Sequence, residues 1–146
     1  MTAESCTAGL LAQVLSDAEG AAEHFHGAFV TYTKGHKTCA LGGPGGLLHE
    51  RQGAVCGAVA RAMAEGALLR STATLAVAIT GVTGPKPDED SNPVGRVCIA
   101  VARRGQPARD FERNYGDLGR DAIRQRAVAD ALRALSEAAA TASAAA

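Results

Sequence analysis

Apolar positions recur along this chain with two different periods. Leu10, Leu11, Val14 and Leu15 share one helical face, and a break follows at Asp17–Gly20. Val59, Ala62, Met63 and Gly66 repeat the same spacing, which predicts a helix from about Cys56 to Arg70. Ile123, Ala127, Val128, Ala131, Leu132 and Leu135 do so again in a last helix from about Gly119 to Ala140. Between these lie runs of another kind. Gly27–Thr33 is β-branched and aromatic, and Leu75–Thr80 is continuously apolar and short, so both read as buried strands. Gly95–Ala102 reads as a further strand, and Ala108–Tyr115 alternates charged with apolar residues as a strand solvated on one face. Lys34–Leu41 fits a short helix. Gly42–Gly46 is a turn, and Gly81–Pro93, with three prolines, is a loop.

Helices alternating with apolar strands predict a layered α/β sheet in one domain, residues 1–140, with an Ala/Ser/Thr tail over 141–146 expected to be frayed. Ligands in such sheets collect at the carboxyl ends of strands. Three segments supply such ends: Glu4-Ser5, Thr31–Lys34 and Thr80–Pro85.

Composition narrows the classes. Of 146 residues 47% are hydrophobic, but only 3% are aromatic, so the core is built from Ala, Val, Leu and Ile at close helix–sheet distances. The formal net charge is +0, which gives no global field for nucleic acid; any phosphate binding is local. Cys6, Cys39, Cys56 and Cys98 form no C-x-x-C pair and have no histidine at ligand spacing, which argues against a redox or metal protein and for free thiols in a reducing compartment. No apolar run approaches membrane-spanning length, and the opening residues are not expected to act as a signal peptide. The expectation is a cytoplasmic protein without membrane or nucleic-acid partners.

Candidate chemistry rests on few residues. Ser5 and Thr7 precede the first helix, where a hydroxyl serves either as a cap or, facing backbone N–H groups, as a nucleophile. Two of the three lysines, Lys34 and Lys37, follow one strand; a lysine shielded from water becomes a general base, although most lysines are solvated. Tyr32 ends that strand, where it either packs or meets a ligand ring. Gly81-Val82-Thr83-Gly84-Pro85 could offer amides to an anion but is not a P-loop. Arg120 and Arg124 open the last helix, placed for a phosphate or for pairing with Asp117 and Asp121.

These signals occur in an order that resembles a known family. Ala3-Glu4-Ser5-Cys6-Thr7-Ala8-Gly9 looks like the A-E-S-C-T-G-G signature of the CinA C-terminal domain. Gly27–Tyr32 resembles its G-x-F-V-T-Y strand, with Lys37 in the place of its lysine five residues later. Gly53-Ala54-Val55, Thr80–Pro85, Pro93-Val94-Gly95 and Gly119-Arg120-Asp121 match four further motifs in order. The resemblance implies a three-layer α/β/α sandwich with a mixed sheet, and the activity of a nicotinamide-nucleotide amidohydrolase without cofactor or metal. It implies Ser5 as nucleophile, Lys37 as base and Tyr32 beside them, with Thr7, Thr80, Gly81, Gly84 and Arg120 around a small nucleotide substrate. Thr7 is the rival nucleophile, and the start of the first helix the expected oxyanion site. A non-catalytic nucleotide-binding or regulatory module of the same fold is the alternative.

Departures accompany the match. Family members open with a helix and a strand ahead of A-E-S-C-T, which this chain is expected to lack, so the sheet is expected to be open or completed by a second copy in a homodimer or larger assembly. Ala8 stands for a glycine, Cys56 for a serine and Thr83 for an alanine, and Lys86–Ser91 lacks the usual glycines.

Overall fold

The structure is a computed structural model that describes residues 1–42, 46, 48 and 53–143. Residues 43–45 of the expected Gly42–Gly46 turn and residues 144–146 of the expected tail lie outside them. Among the described residues, five strands form one mixed sheet in the order β2-β1-β3-β4-β5: β1 Thr2–Glu4, β2 Ala28–Val30, β3 Leu75–Gly81, β4 Arg96–Arg103 and β5 Arg109–Asn114. The helices are α1 Leu10–Ser16, α2 Ala21–His24, α3 Lys34–Leu41, α4 Gly57–Leu69 and α5 Arg120–Ser143.

β1 is parallel to both neighbours, with Glu4 opposite Val30 on one side and Ile79 on the other. The residues ahead of Ser5 therefore fill the place between β2 and β3, and the described sheet is continuous across it. The sequence pattern did not reveal this strand, because three residues carry no period. β3–β4 and β4–β5 are antiparallel, with Ala78 opposite Ala100 and Ile99 opposite Phe111.

Strand alternation explains the continuous apolar run of β3. Ala76 and Ala78, with Ala3, Cys98, Ala100 and Ala102, face α4. Val77 and Ile79, with Val97 and Ile99, face α5 and α1. Small residues on one face let α4 approach closely, and α4 meets α3 just as tightly: a Cβ at Gly66 would lie 2.4 Å from the Leu41 carbonyl oxygen. The other face carries the large side chains Leu11, Ile79, Ile99 and Ile123.

β2 differs from its expected burial. It is the edge strand, with Ala28 exposed and Val30 44% exposed, because one helical layer does not reach past the sheet border. Val14, expected on the inner face of α1, is also exposed. α1 is only seven residues long and buries Leu11 fully. α5 continues to Ser143. No helix of the described residues is long and apolar enough to cross a membrane.

Candidate active site

Because β2, β1 and β3 are parallel, their carboxyl ends open at the same border of the sheet. Thr31, Ser5 and Val82 follow them there. Ser5 is pinned at once: its amide donates to the Ile79 carbonyl at 2.9 Å, while the Thr31 amide donates to the Glu4 carbonyl at 2.8 Å. Alternation along β1 puts Ala3 in the α4 layer and sends the Glu4 side chain to the α1 side.

The lysine arrives from α3. Thr33 caps that helix by accepting from the His36 amide at 3.2 Å, which sets its start and brings Lys37 inward one turn later. Lys37 is 4% exposed. Its Nζ lies 2.8 Å from Ser5 Oγ, 2.9 Å from the Thr31 carbonyl and 3.3 Å from the Tyr32 carbonyl. Burial pulls its pKa from 10.5 down to about 8, and the positive charge of Lys34 adds to this. Cys6 is itself pushed up to about 12 by burial, so it is a neutral thiol beside the lysine. A buried amine that sheds its proton near neutral pH, in contact with a hydroxyl, can deprotonate that hydroxyl as it attacks.

Lys34, one turn earlier, is its opposite. It pairs with Glu89 and Asp90 at 2.7 Å each, and these carboxylates, Asp90 foremost, raise its pKa. The loop after β3 is thereby tied to α3.

The other expected residues fall into place unevenly. Tyr32 contributes its carbonyl to Lys37, while the residue is 56% exposed. Thr80 lies on the α4 face of β3, and its hydroxyl donates to the Ala54 carbonyl at 2.7 Å, not to the lysine. Gly81 ends β3, and Gly84 has φ +85° ahead of a cis bond to Pro85. The Gly84 carbonyl accepts from Arg120 at 2.6 Å. Arg124 donates to the Cys6 carbonyl at 2.8 Å. The two arginines thus tie the start of α5 to the loops after β3 and β1 rather than pairing with Asp117 or Asp121. Thr7 is buried, and its hydroxyl donates to Glu4 Oε2 at 2.7 Å, which commits the proton a rival nucleophile would need to lose.

The capping expectation is overturned. The N-cap of α1 is Gly9, in a left-handed conformation with φ +97° and no side-chain bond of its own. The cap is supplied by Glu4, which reading from sequence did not single out. Its carboxylate is fully buried and accepts from the amides of Gly9 at 3.0 Å, Leu11 at 3.1 Å and Ala12 at 2.8 Å, besides the hydroxyls of Thr2 and Thr7. The signal was an acidic residue just ahead of a helix start, where negative charge is stabilised. The expected oxyanion site at the first turn of α1 is therefore already occupied by the protein's own carboxylate.

The family model of the CinA C-terminal domain matches residues 1–139. The chain belongs to that family. A CinA-like protein of Synechococcus sp. is 46% identical over 134 residues, covering 91% of this chain and 32% of the relative. A CinA-like protein of Geobacter sulfurreducens is 44% identical over 122 residues, 84% of this chain and 29% of the relative. The chain spans about a third of the length of such curated relatives. Among solved structures, a competence/damage inducible protein of Agrobacterium tumefaciens superposes with a TM-score of 0.87 at 42% identity, over 92% of this chain and 81% of that one. The competence damage-inducible protein A of Klebsiella pneumoniae gives 0.89 at 33% identity, over 95% and 84%. The α/β architecture with a mixed five-stranded sheet is thus that of CinA-superfamily structures.

Proposed function

We propose that this CinA C-terminal domain hydrolyses the carboxamide of nicotinamide mononucleotide to the acid and ammonia. The observation that carries the reading is the 2.8 Å contact between Ser5 Oγ and a buried Lys37 whose pKa is held at about 8. An amide is a poor electrophile, so the attacking hydroxyl needs a base, and Lys37 is the amine in hydrogen-bond reach.

Ser5 Oγ forms a bond to the carboxamide carbon while its proton passes to neutral Lys37, leaving a tetrahedral oxyanion. The carbon–nitrogen bond then breaks, and the departing nitrogen takes the proton from Lys37 and leaves as ammonia. Water attacks the resulting ester, gives its proton to Lys37, and Ser5 departs as it regains that proton. Lys37 acts in turn as base and acid, and no external cofactor enters.

Arg120 supports the choice of a nucleotide. A guanidinium carries five N–H donors, and the Gly84 carbonyl takes a single contact at 2.6 Å, so the group retains donors for a phosphate. Gly81 closes β3 and Gly84 lies in the loop that follows, with Thr80 one residue before Gly81 and Tyr32 just past the end of β2.

The test is ammonia release from nicotinamide mononucleotide by the purified protein, alongside Ser5→Ala. Turnover by the wild type and none by the variant is the expected result. No ammonia from the wild type, or full turnover by Ser5→Ala, overturns the reading and favours a non-catalytic nucleotide-binding module.

A further inference from the structure

The turn between β1 and α1 contains a sharp division among its backbone donors. The Ser5 amide is given to Ile79, the Ala8 amide to the Ser5 carbonyl at 3.0 Å and the Leu10 amide to the Thr7 carbonyl at 3.0 Å. Gly9, Leu11 and Ala12 give theirs to the Glu4 carboxylate. Among the described residues, two amides in this stretch have no oxygen acceptor: that of Thr7, and that of Cys6, which has its own thiol sulfur for company, a weak acceptor. They are the two residues directly after Ser5.

We infer that Glu4 is a positioning residue for the tetrahedral oxyanion: by holding Gly9, Leu11, Ala12 and Thr7 from one buried carboxylate, it fixes the turn so that the Cys6 and Thr7 amides stand open after the nucleophile. The inference rests on the amidohydrolase reading and adds where the oxyanion is held. A carboxylate shared by three amides and two hydroxyls resists displacement, since each donor would otherwise be buried without a partner. It also removes the first turn of α1 from the reaction, which leaves the two open amides as the donors that need no rearrangement when charge develops. Glu4 does not touch the substrate; it acts through the backbone of the turn.

The experiment uses Glu4→Gln and Glu4→Asp in the full chain, with kcat, KM, the pH profile and the melting temperature measured on nicotinamide mononucleotide. Gln removes the charge and sets an NH2 group against donors; Asp keeps the charge but withdraws the oxygens by one methylene. In whichever variant folds, kcat is expected to fall roughly ten- to a hundredfold, less than or comparable to the loss of an oxyanion donor. KM should stay within about twofold, and the inflection set by Lys37 should remain where it is. A folded variant with wild-type kcat overturns the inference. So does a loss of kcat accompanied by a moved inflection, because that would make Glu4 a tuner of the base.

Should the wild type release no ammonia, the amidohydrolase reading fails separately, and the rate of Ser5 labelling by a fluorophosphonate takes the place of kcat. The phosphonyl oxygen of that adduct needs the same two amides. Labelling at least tenfold slower in the Glu4 variants upholds the inference. Equal labelling, or a wild type in which Ser5 is not labelled, overturns it.

Discussion

The two flanks of Ser5 are built on opposite plans. On the α1 side a carboxylate is buried with five donors around it, and every one of its contacts is made within the chain. On the α3 side an amine is buried with three oxygens around it, and its pKa is held at about 8, where small changes of pH change its charge. One flank is held static by hydrogen bonds, and the other carries the lysine that titrates. The difference shows how a domain can combine rigidity with proton transfer: the hydrogen-bonded carboxylate shapes the backbone, and the labile amine meets the hydroxyl.

Removing the labile flank should have the largest effect. Lys37→Met is expected to lower kcat on nicotinamide mononucleotide by about 10²- to 10⁴-fold, the usual contribution of a general base, with Ser5→Ala at least as severe. The wild type should show the matching pH dependence. Lys37 is protonated and idle below about pH 8, so kcat should rise as pH rises through that value and level off above it. A flat profile between pH 6 and 9.5 would break the contrast between the flanks.

Next in size is Arg120→Ala, which probes an anion bound from outside rather than one built in. Binding of nicotinamide mononucleotide in a calorimetric titration should weaken roughly tenfold or more, the worth of one charge-assisted bond, with far less effect on nicotinamide. Equal weakening of both ligands would show that Arg120 only braces the Gly84 loop.

Lys34→Met sharpens the comparison within a single helix. Its charge lowers the Lys37 pKa, so removing it should move the kcat inflection to higher pH by less than one unit. Because Glu89 and Asp90 partly neutralise Lys34, the shift is small, and raised salt should shrink it further. The smallest effect belongs to Thr7→Val on the static flank. It deletes one of five donors to Glu4 and should cost less than about fivefold in kcat, since the three amides still hold the carboxylate. Loss of all turnover in this variant, with the fold intact by circular dichroism, would reopen Thr7 as the nucleophile.

Much of this arrangement was legible in the sequence. The 3.6-residue spacing of Val59, Met63 and Gly66, and the apolar run of Leu75–Thr80, gave α4 and β3 nearly to their ends. The Ser5 and Lys37 pair came from an ordered set of motifs and not from periodicity. What stayed hidden was short or collective. β1 and α2, at three and four residues, are below the length at which a period can be seen. The edge position of β2 depends on sheet order, which hydrophobic pattern does not specify. Glu4 was hidden because a lone acidic residue in a short polar-looking stretch gives no sign that three amides and two hydroxyls will converge on it. The partners of Arg120 and Arg124 were missed for a related reason: they are carbonyl oxygens in loops remote in sequence, while Asp117 and Asp121 are merely near.

The three oxygens around Lys37 set a rule of hydrogen counting. An ammonium has three hydrogens, and Thr31, Tyr32 and Ser5 can absorb all three. A neutral amine has two hydrogens and one lone pair. The two backbone carbonyls can only accept, so they keep the two hydrogens, and the lone pair is left for Ser5. Losing one proton therefore reverses a single hydrogen bond, turning the Ser5 hydroxyl from acceptor to donor without any atom changing place. The two residues that follow the edge strand, Thr31 and Tyr32, act as a direction-setter for the proton: their peptide oxygens decide where the amine's lone pair points.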